Sequence, residues 1–331
     1  MVSPLQMFLF YSFIWDDNVP RGTMTSMEKL NQCPLCLNPL INSAYDISNR
    51  LFLEAVDMLV SHKTFKIEKC PSCSLLFTNP RPTENEIKKY YHSDAYISHT
   101  ENKQTIKERI YFMVQKTMLR KKIALLKKHT KPQCRKLLDF GCGTGNFIDY
   151  AQQNGFISTG YEPEINARQK AEAKDLNIIN DLDVLFGNKT GAYDVITLWH
   201  VLEHLHDFPS VLDDFHTKLN IDGVLLIAVP MAKSTDANYY KKYWAGWDLP
   251  RHLYHFTRES IVSSCTKAGY DLVAKRGMPF DSYYVSWLSE QNKRNRMAPL
   301  NAFLIGFWSN MKATLGKTPW SSEVFVFRKR G

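Results

Sequence analysis

Cysteines and histidines stand at spacings that suit metal binding or proton transfer. The cysteines form two close pairs, Cys33-Pro-Leu-Cys36 and Cys70-Pro-Ser-Cys73. Two such pairs can supply four thiolates to one tetrahedral zinc ion, which leaves no open position for catalysis. The alternative is four buried or free thiols. The paired pattern favours a structural zinc site formed by all four cysteines.

The stretch "HVLEHLHD" (residues 200–207) contains His200-Val-Leu-Glu203-His204, which matches the H-x-x-E-H pattern of inverted zinc proteases. That metal site needs both histidines one turn apart on a helix. The preceding residues, "YDVITLW", are instead a β-branched apolar run of strand length. A strand that ends near His200 would place the stretch at the edge where open α/β sheets bind ligands. The context therefore favours the wall of a ligand pocket over a protease site.

A glycine-rich turn lies earlier, in "LLDFGCGTGNF" (residues 137–147). A predicted strand leads into Gly141-x-Gly143-x-Gly145, and a predicted helix follows. Asn146 stands where a dinucleotide fingerprint would have its third glycine, and Asp139 lies two residues before the first glycine. The pattern indicates a turn that holds a nucleotide-like cofactor.

Two further acids follow the next strands. Glu162 closes the second strand, where its carboxylate could accept hydrogen bonds from both hydroxyls of a ribose. The alternative is a solvated charge at the end of a strand. Asp181 follows the third strand and could meet an adenine amino group, with Asn180 and Asp183 as competing candidates.

Strands and helices alternate from Lys136 onward. Strands are predicted in "KLLDFG", "FISTGYE", "LNII", "YDVITLW", "GVLLIAVP", "DLVAKRG" and "SEVFVFRKR", and helices at 145–154, 164–174, 208–219 and 257–270. This alternation predicts a doubly wound α/β fold with a mostly parallel sheet.

An aromatic-rich insert, residues 278–320, separates the last two predicted strands and should contain two helices. We expect it to form a lid over a substrate pocket, with ordinary core packing as the alternative. The aromatic residues that suggest this are Tyr283, Tyr284, Trp287, Phe303, Phe307 and Trp308.

The net charge of +9 comes from one segment of the chain. Between Lys103 and Lys136 there are twelve Lys or Arg residues and one acid, Glu108. Most of them lie on a long helix predicted over 104–129, and a shorter helix is predicted to start near Thr83. The basic helix could bind a phosphate-rich partner, and a solvated helix face explains it equally well.

Seven cysteines, an odd number that includes two close pairs, are typical of a protein in a reducing compartment. The apolar stretch at residues 4–15 is too short to span a bilayer and lacks the flanks of a signal peptide. We therefore expect a cytoplasmic protein without a transmembrane segment. Residues 1–27 are predicted to be a disordered extension or an over-called start.

Taken together, the motifs of residues 136–230 resemble the core of class I S-adenosylmethionine-dependent methyltransferases. The resemblance is carried, in order, by "DFGCGTG", Glu162, "YDVITLWHVLEHLHD" and "DGVLLIAVP". It implies a Rossmann-like sheet of seven strands, the last antiparallel, with S-adenosylmethionine lying across the carboxyl ends of the strands. The predicted cofactor-binding residues are Asp139, Gly141, Gly143, Gly145, Glu162, Asp181 and His200.

The N-terminal half is similar to bacterial methyltransferases that carry a zinc-knuckle module in front. The cysteine pairs, "LLFTNPRPTENEIKKYY" and the later "WDLPRHLYHFT" carry this resemblance. It divides the chain into a zinc-knuckle module (28–82), a helical linker region (83–132) and a methyltransferase domain (133–331) with the insert at 278–320. Some relatives with such a module methylate nucleotide-linked sugars, and these usually carry an extra C-terminal domain, which we do not expect here.

The resemblance implies methyl transfer to a small-molecule acceptor, at oxygen or carbon, such as a saccharide, a lipid or a quinone-like metabolite. Such a nucleophile benefits from a base with a pKa near neutral, and we predict that His200, His204 or His252 fills that role, with His255 nearby. The alternative is a methyltransferase that modifies RNA or protein and binds it through the zinc module and the basic helix at 103–131. A cofactor-binding protein without catalytic activity is a third class.

Overall fold

The computed structural model describes residues 26–40, 49–91, 106–187 and 190–331. The prediction for residues 1–27 lies outside the described residues, except for its last two. The strands are β1 (Met27–Glu28), β2 (Leu51–Val56), β3 (Thr64–Lys69), β4 (Leu76–Thr78), β5 (Arg81–Pro82), β6 (Lys136–Phe140), β7 (Ile157–Tyr161), β8 (Ile178–Ile179), β9 (Tyr193–Trp199), β10 (Leu219–Pro230), β11 (Tyr254–His255), β12 (Tyr270–Gly277) and β13 (Ser322–Lys329).

The long α-helices lie within a few residues of the predicted bounds, but the two short helices Leu182–Phe186 and Thr235–Tyr240 were not predicted. The α-helices are α1 (Ile106–His129), α2 (Asn146–Gln153), α3 (Ile165–Glu172), α4 (Leu182–Phe186), α5 (Phe208–Lys218), α6 (Thr235–Tyr240), α7 (Arg258–Lys267), α8 (Pro279–Asn292) and α9 (Ala298–Thr314). Short 3-10 helices cover Ile87–Tyr91, Leu202–His204, Lys241–Tyr243 and Ala245–Trp247. The helix predicted near Thr83 is therefore only one short turn, which begins at Ile87.

The main sheet has seven strands in the order β12-β13-β10-β9-β6-β7-β8. Neighbouring strands from β10 to β8 are parallel, and β13 runs antiparallel to both β10 and β12. The central strands are nearly continuous apolar runs because both of their faces are covered. The predicted α/β fold with an antiparallel last strand is confirmed.

Helices cover both faces of this sheet. Phe208, Leu212 and Phe215 of α5 pack on one face. On the other face, helix α1 packs through Ile123 and Leu126, beside residues of α2. The helix predicted as part of a linker region therefore contributes to the core against the sheet, because its apolar stripe lies on the sheet side.

A second sheet, in the order β11-β4-β3-β2, contains most of the N-terminal strands. Its hairpin of β2 and β3 accounts for the long gap between the two cysteine pairs. Its edge strand β11 comes from much later in the chain, where Tyr254 pairs with Phe77. This pairing joins the N-terminal sheet to the segment that follows β10.

No helix in the described ranges combines the length and the apolar character that a bilayer crossing requires.

Candidate active site

The glycine turn connects β6 to α2 at the carboxyl end of the sheet. Gly141, Gly143 and Gly145 have φ angles of +76°, +58° and +77°, a region that favours glycine. A Cβ on Gly145 would lie 2.4 Å from Leu176 Cδ1, so the turn also packs tightly. Helix α2 begins directly after Gly145, without a side-chain cap on its first amides. An uncapped helix start after such a turn is a common binding place for polar cofactor groups.

Glu162 lies beside this turn at the end of β7 and is buried. Its Oε2 accepts a hydrogen bond from the Gly143 amide at 2.8 Å, and its Oε1 accepts one from the Glu164 amide at 2.9 Å. The carboxylate therefore fixes the shape of the glycine turn. A solvated strand-end charge, the alternative from the sequence, is wrong for Glu162.

Asp139 is buried at the end of β6 and accepts a hydrogen bond from Thr197 Oγ1 at 2.6 Å. Burial raises the pKa of Asp139 to about 7, although the Thr197 hydrogen bond acts in the opposite direction. Asp181 is exposed and caps helix α4, with its Oδ1 2.7 Å from the Asp183 amide. Asp139 is therefore buried and Asp181 is exposed to solvent at the same edge of the sheet.

Two residues that the sequence reasoning missed complete the glycine-turn region. Trp199 ends β9, and its buried Nε1 has no hydrogen-bond partner among the described residues. Its ring packs edge-on against Phe147 of α2, with centroids 5.3 Å apart. Lys122 of α1 places its Nζ 4.0 Å from the centroid of the Trp199 ring system. Burial lowers the pKa of Lys122 to about 8, and Asp139 and Asp281 oppose this shift.

His200 follows β9 and lies between two buried carboxylates. Its Nδ1 is 3.5 Å from Glu203 Oε1, and its Nε2 is 3.3 Å from Asp281 Oδ2. The backbone of His200 turns into the left-handed region, with φ +59°, which directs the chain away from the sheet. Burial alone would lower the pKa of His200, but Asp281 and then Glu203 outweigh it and raise the pKa to about 9.

Glu203 and Asp281 were not predicted as site residues. Asp281 belongs to the first turn of α8, inside the insert at 278–320. No local pattern marks it, because its partner lies 81 positions earlier in the chain. Glu203 was visible only as part of the H-x-x-E-H motif.

The predicted histidines His204 and His252 also lie close together, with ring centroids 4.6 Å apart. The Nδ1 of His204 lies 3.0 Å from the Arg251 carbonyl, and the Nδ1 of His252 lies 3.0 Å from the Gly246 carbonyl. A carbonyl oxygen can only accept, so the Nδ1 of each ring carries a proton. Burial lowers the pKa of His204 to about 3, which keeps this ring neutral.

Glu203, His204 and His252 each offer one ligand atom, and these atoms lie within 4.8 Å of one another. The group could hold a metal ion, but it is not the H-x-x-E-H protease arrangement, which the sequence context had already disfavoured. Only residues 202–204 form a single 3-10 turn, and His200 is outside it. His255 lies elsewhere, with its Nε2 3.1 Å from Thr78 Oγ1 in the second sheet.

The four predicted cysteines come together in the N-terminal part of the chain, where Cys33 and Cys70 are buried. Cys33 Sγ lies 3.5 Å from Cys73 Sγ, and Cys36 Sγ lies 3.6 Å from Cys70 Sγ. All four sulfurs lie within 4.8 Å of one another. Each pair lies in a matching turn, since the Leu37 amide donates to the Cys33 carbonyl and the Ser74 amide donates to the Cys70 carbonyl.

The aromatic residues of the insert, which is predicted to form a lid, divide into a buried and an exposed set. Tyr284 is buried and Trp287 is half-buried, both in a cluster with Trp244 and Trp247. Phe303 and Phe307 of α9 are exposed. The aromatic residues of the two helices therefore serve different purposes.

Comparison with known proteins agrees with this geometry. A family described as a methyltransferase domain matches residues 110–275, half of the chain. The ubiquinone biosynthesis O-methyltransferase of Haemophilus ducreyi is 28% identical over 194 residues, which cover 51% of this chain and 79% of that protein. The protein of the same name from Glaesserella parasuis is 34% identical over 105 residues, 28% of this chain and 44% of that protein.

Among solved structures, a SAM-dependent methyltransferase from Archaeoglobus fulgidus is similar, with a TM-score of 0.45 and 18% identity. The similarity covers 66% of this chain and 94% of that one. The glycine turn, the seven-stranded sheet and the family match converge: the chain belongs to the methyltransferase domain family and is an S-adenosylmethionine-dependent methyltransferase.

Proposed function

We propose that this enzyme transfers a methyl group to a hydroxyl oxygen of a small-molecule acceptor, with His200 as the base. The observation that carries the proposal is the position of His200 between Glu203 and Asp281, at the end of the strand next to the glycine turn. A histidine paired with carboxylates is a stronger base than a free one, which suits removal of a hydroxyl proton. The curated relatives named as O-methyltransferases support the choice of oxygen and of a small acceptor.

His204 and His252 are assigned a positioning role instead. Their Nδ1 protons are bound to backbone carbonyls, and the ring of His204 stays neutral because burial lowers its pKa to about 3. His204 would therefore give little response to pH in the neutral range. Both rings lie beside Glu203, so they help to define the space around the carboxylate that faces His200.

The residues around the glycine turn fit S-adenosylmethionine. The uncapped start of α2 and the unpartnered indole nitrogen of Trp199 leave donors for polar groups of the cofactor. Asp139, Gly141, Gly143, Gly145, Glu162, Asp181 and His200 are the residues we propose to hold it. When bound, this cofactor supplies an electrophilic methyl group, so the protein mainly has to align the acceptor, exclude water and take up a proton.

The test of the base is a pH profile of methyl transfer to a panel of dihydroxybenzenes and other small alcohols, followed as S-adenosylhomocysteine formation. The kcat/KM of the wild type should rise with pH and level off near the His200 pKa of about 9, because the base must be deprotonated. His200→Gln should lower kcat/KM by about 100-fold and remove this limb. His206→Gln, at a neighbouring half-buried histidine outside the cluster, is the matched control. Full activity in His200→Gln would exclude His200 as the base.

Calorimetric titration with S-adenosylhomocysteine tests the cofactor residues separately. Glu162→Gln keeps the shape of the side chain but weakens its hold on the Gly143 amide, so affinity should fall about ten-fold or more. Glu172→Gln, at an exposed acid on α3, should bind like the wild type. Equal affinity in all three proteins would overturn the assignment of Glu162.

We also propose that Cys33, Cys36, Cys70 and Cys73 hold one structural zinc ion. Sulfur separations of 3.5 and 3.6 Å are far too long for a disulfide and close to the roughly 3.8 Å expected across a tetrahedral zinc with bonds of about 2.3 Å. Burial raises the pKa of Cys73 to about 11, so this sulfur needs a cation to become a thiolate at neutral pH. Burial acts in the same direction on Cys70, but hydrogen bonds from the Cys73 and Ser72 amides outweigh it and lower its pKa, which favours a thiolate.

Metal analysis of the purified protein tests this site. The wild type should contain one zinc per chain that Cys33→Ser/Cys70→Ser lacks. Cys134→Ser, at a cysteine outside the cluster, should retain the metal. A metal-free wild type, or zinc retained in the double variant, would contradict the site.

Modification of RNA or protein, the alternative from the sequence, is not favoured. The printed names of the curated relatives refer to the biosynthesis of a small molecule. Within the basic helix, Lys122 turns toward Trp199 and the sheet rather than toward solvent.

A further inference from the structure

Helix α9 is amphipathic in the reverse sense to an ordinary surface helix. Its buried side carries only small residues, and its large apolar residues face outward. Gly306 shows why: a Cβ there would lie 2.9 Å from Tyr283 Cα, so α8 and α9 approach too closely for a larger residue. The buried residues are Ala298, Ala302, Gly306, Ser309 and Ala313.

The outward face is a continuous apolar stripe. Phe303 is 58% exposed, Phe307 54% and Leu300 51%, fractions that leave most of these side chains in water. Large exposed apolar patches of this kind mark contact surfaces. We call this stripe the α9 face; it comprises Met297, Leu300, Phe303, Leu304, Phe307, Trp308, Met311 and Leu315.

The segment that contains the α9 face carries charges of one sign. Residues 291–322 contain no Asp or Glu, and their basic residues stand just before and at the end of the helix. Lys312 lies over the Trp308 ring, with its Nζ 4.0 Å from the centroid, so a cation borders the apolar stripe directly. The basic residues are Lys293, Arg294, Arg296, Lys312 and Lys317.

We propose that the α9 face binds the surface of a bilayer that contains anionic lipid. An apolar stripe of Leu, Phe and Trp with basic residues at its borders is the pattern of helices that lie in the interface between headgroups and acyl chains. The basic residues would then meet the anionic headgroups. A second copy of the same face is a poorer partner, because it would bring ten like charges together around a small contact.

The α9 face is linked to the candidate active site through helix α8. Helix α8 packs against α9 and carries Asp281, which lies 3.3 Å from His200. A protein docked through α9 would therefore hold the candidate active site close to the bilayer. The lipid contact itself does not depend on which acceptor is methylated.

Co-sedimentation of the full chain with vesicles tests the proposal. Vesicles of phosphatidylcholine with about 30% phosphatidylglycerol should bind the wild type at least about ten-fold more tightly than phosphatidylcholine alone. Raising the salt to about 0.5 M should weaken binding, since it screens the headgroup charges. The tryptophan emission should shift to the blue on binding, and Trp308→Phe should remove most of this shift.

Leu300→Ser/Phe303→Ser/Phe307→Ser should reduce vesicle binding about ten-fold or more. The matched control changes exposed apolar residues elsewhere, Ile157→Ser/Ile221→Ser, and should bind like the wild type. Unchanged S-adenosylhomocysteine affinity would show that the triple variant is folded. The proposal would be overturned if the wild type does not bind the vesicles, whether a second copy or another segment covers its α9 face. Equal binding by the wild type and the triple variant would do the same.

Discussion

Replacement of His200 should change the pH dependence of stability in a direction set by its two carboxylate partners. The pKa of His200 in the folded chain is raised to about 9 from an ordinary value of 6.5. A raised pKa means that the ion pairs stabilise the fold fully below about pH 6.5 and lose this effect as the pH rises through about 9. A pKa raised from 6.5 to about 9 corresponds to about 3 kcal/mol of stabilisation at low pH.

Urea denaturation at about pH 6 and about pH 10 measures this contribution. The free energy of unfolding of the wild type should exceed that of His200→Gln/Asp281→Asn by up to about 3 kcal/mol more at the lower pH than at the higher one. The double variant is used because His200→Gln alone would leave Asp281 buried without its cationic partner. Glu203 loses His200 and Lys122 loses Asp281 in the double variant, so the difference reports the whole charged cluster, whereas titrating groups elsewhere are shared by both proteins and cancel.

Direct observation by NMR completes the test. The protein has 10 histidines, and the resonance missing from His200→Gln identifies His200. In the wild type it should titrate with a midpoint near 9, and in Asp281→Asn the midpoint should move toward lower pH. A midpoint near 6.5 in the wild type, or a stability difference that does not vary with pH, would refute the assignment of paired buried carboxylates.

Two further predictions concern the backbone of the glycine turn and a buried ion pair. Gly145→Ala should lower the free energy of unfolding by about 2–3 kcal/mol and weaken cofactor binding, because the new Cβ meets Leu176 and the φ angle is positive. Gly155→Ala, where φ is also positive but the space is open, should lower it by about 1 kcal/mol. Denaturant midpoints measure both losses. Arg251→Leu should lower the free energy of unfolding by about 3–5 kcal/mol, since it leaves Asp57 buried without its cation. The control is Lys131→Ala, which removes an exposed ion pair and should lower it by about 0–1 kcal/mol. A smaller loss in Arg251→Leu than in Lys131→Ala would contradict the role given to burial.

The fold was largely accessible from local patterns. The central strands β6, β9 and β10 are apolar runs, and helices α1 and α5 carry apolar residues at helical spacing. The glycine turn, Glu162 and the cysteine pairs were recognisable because their function depends on short spacings within the chain. These signals need no information about distant neighbours.

The residues that surround His200 required the tertiary structure. Asp281 and Lys122 come from an insert and an N-terminal helix, and nothing in their own segments indicates that they reach the edge of the main sheet. The same holds for β11, a strand of two residues whose pairing with β4 spans the chain. Long-range contacts of this kind depend on how whole elements pack, which short windows of sequence do not contain.

The sequence by itself determined the class of fold, the position of the glycine turn and the two cysteine pairs, because each rests on residues close together in the chain. Only the tertiary structure decided that His200 lies between two carboxylates and that the aromatic residues of α9 face outward. The physical reason is that burial and charge pairing are properties of a surrounding volume. That volume is assembled from segments that the chain brings together only on folding.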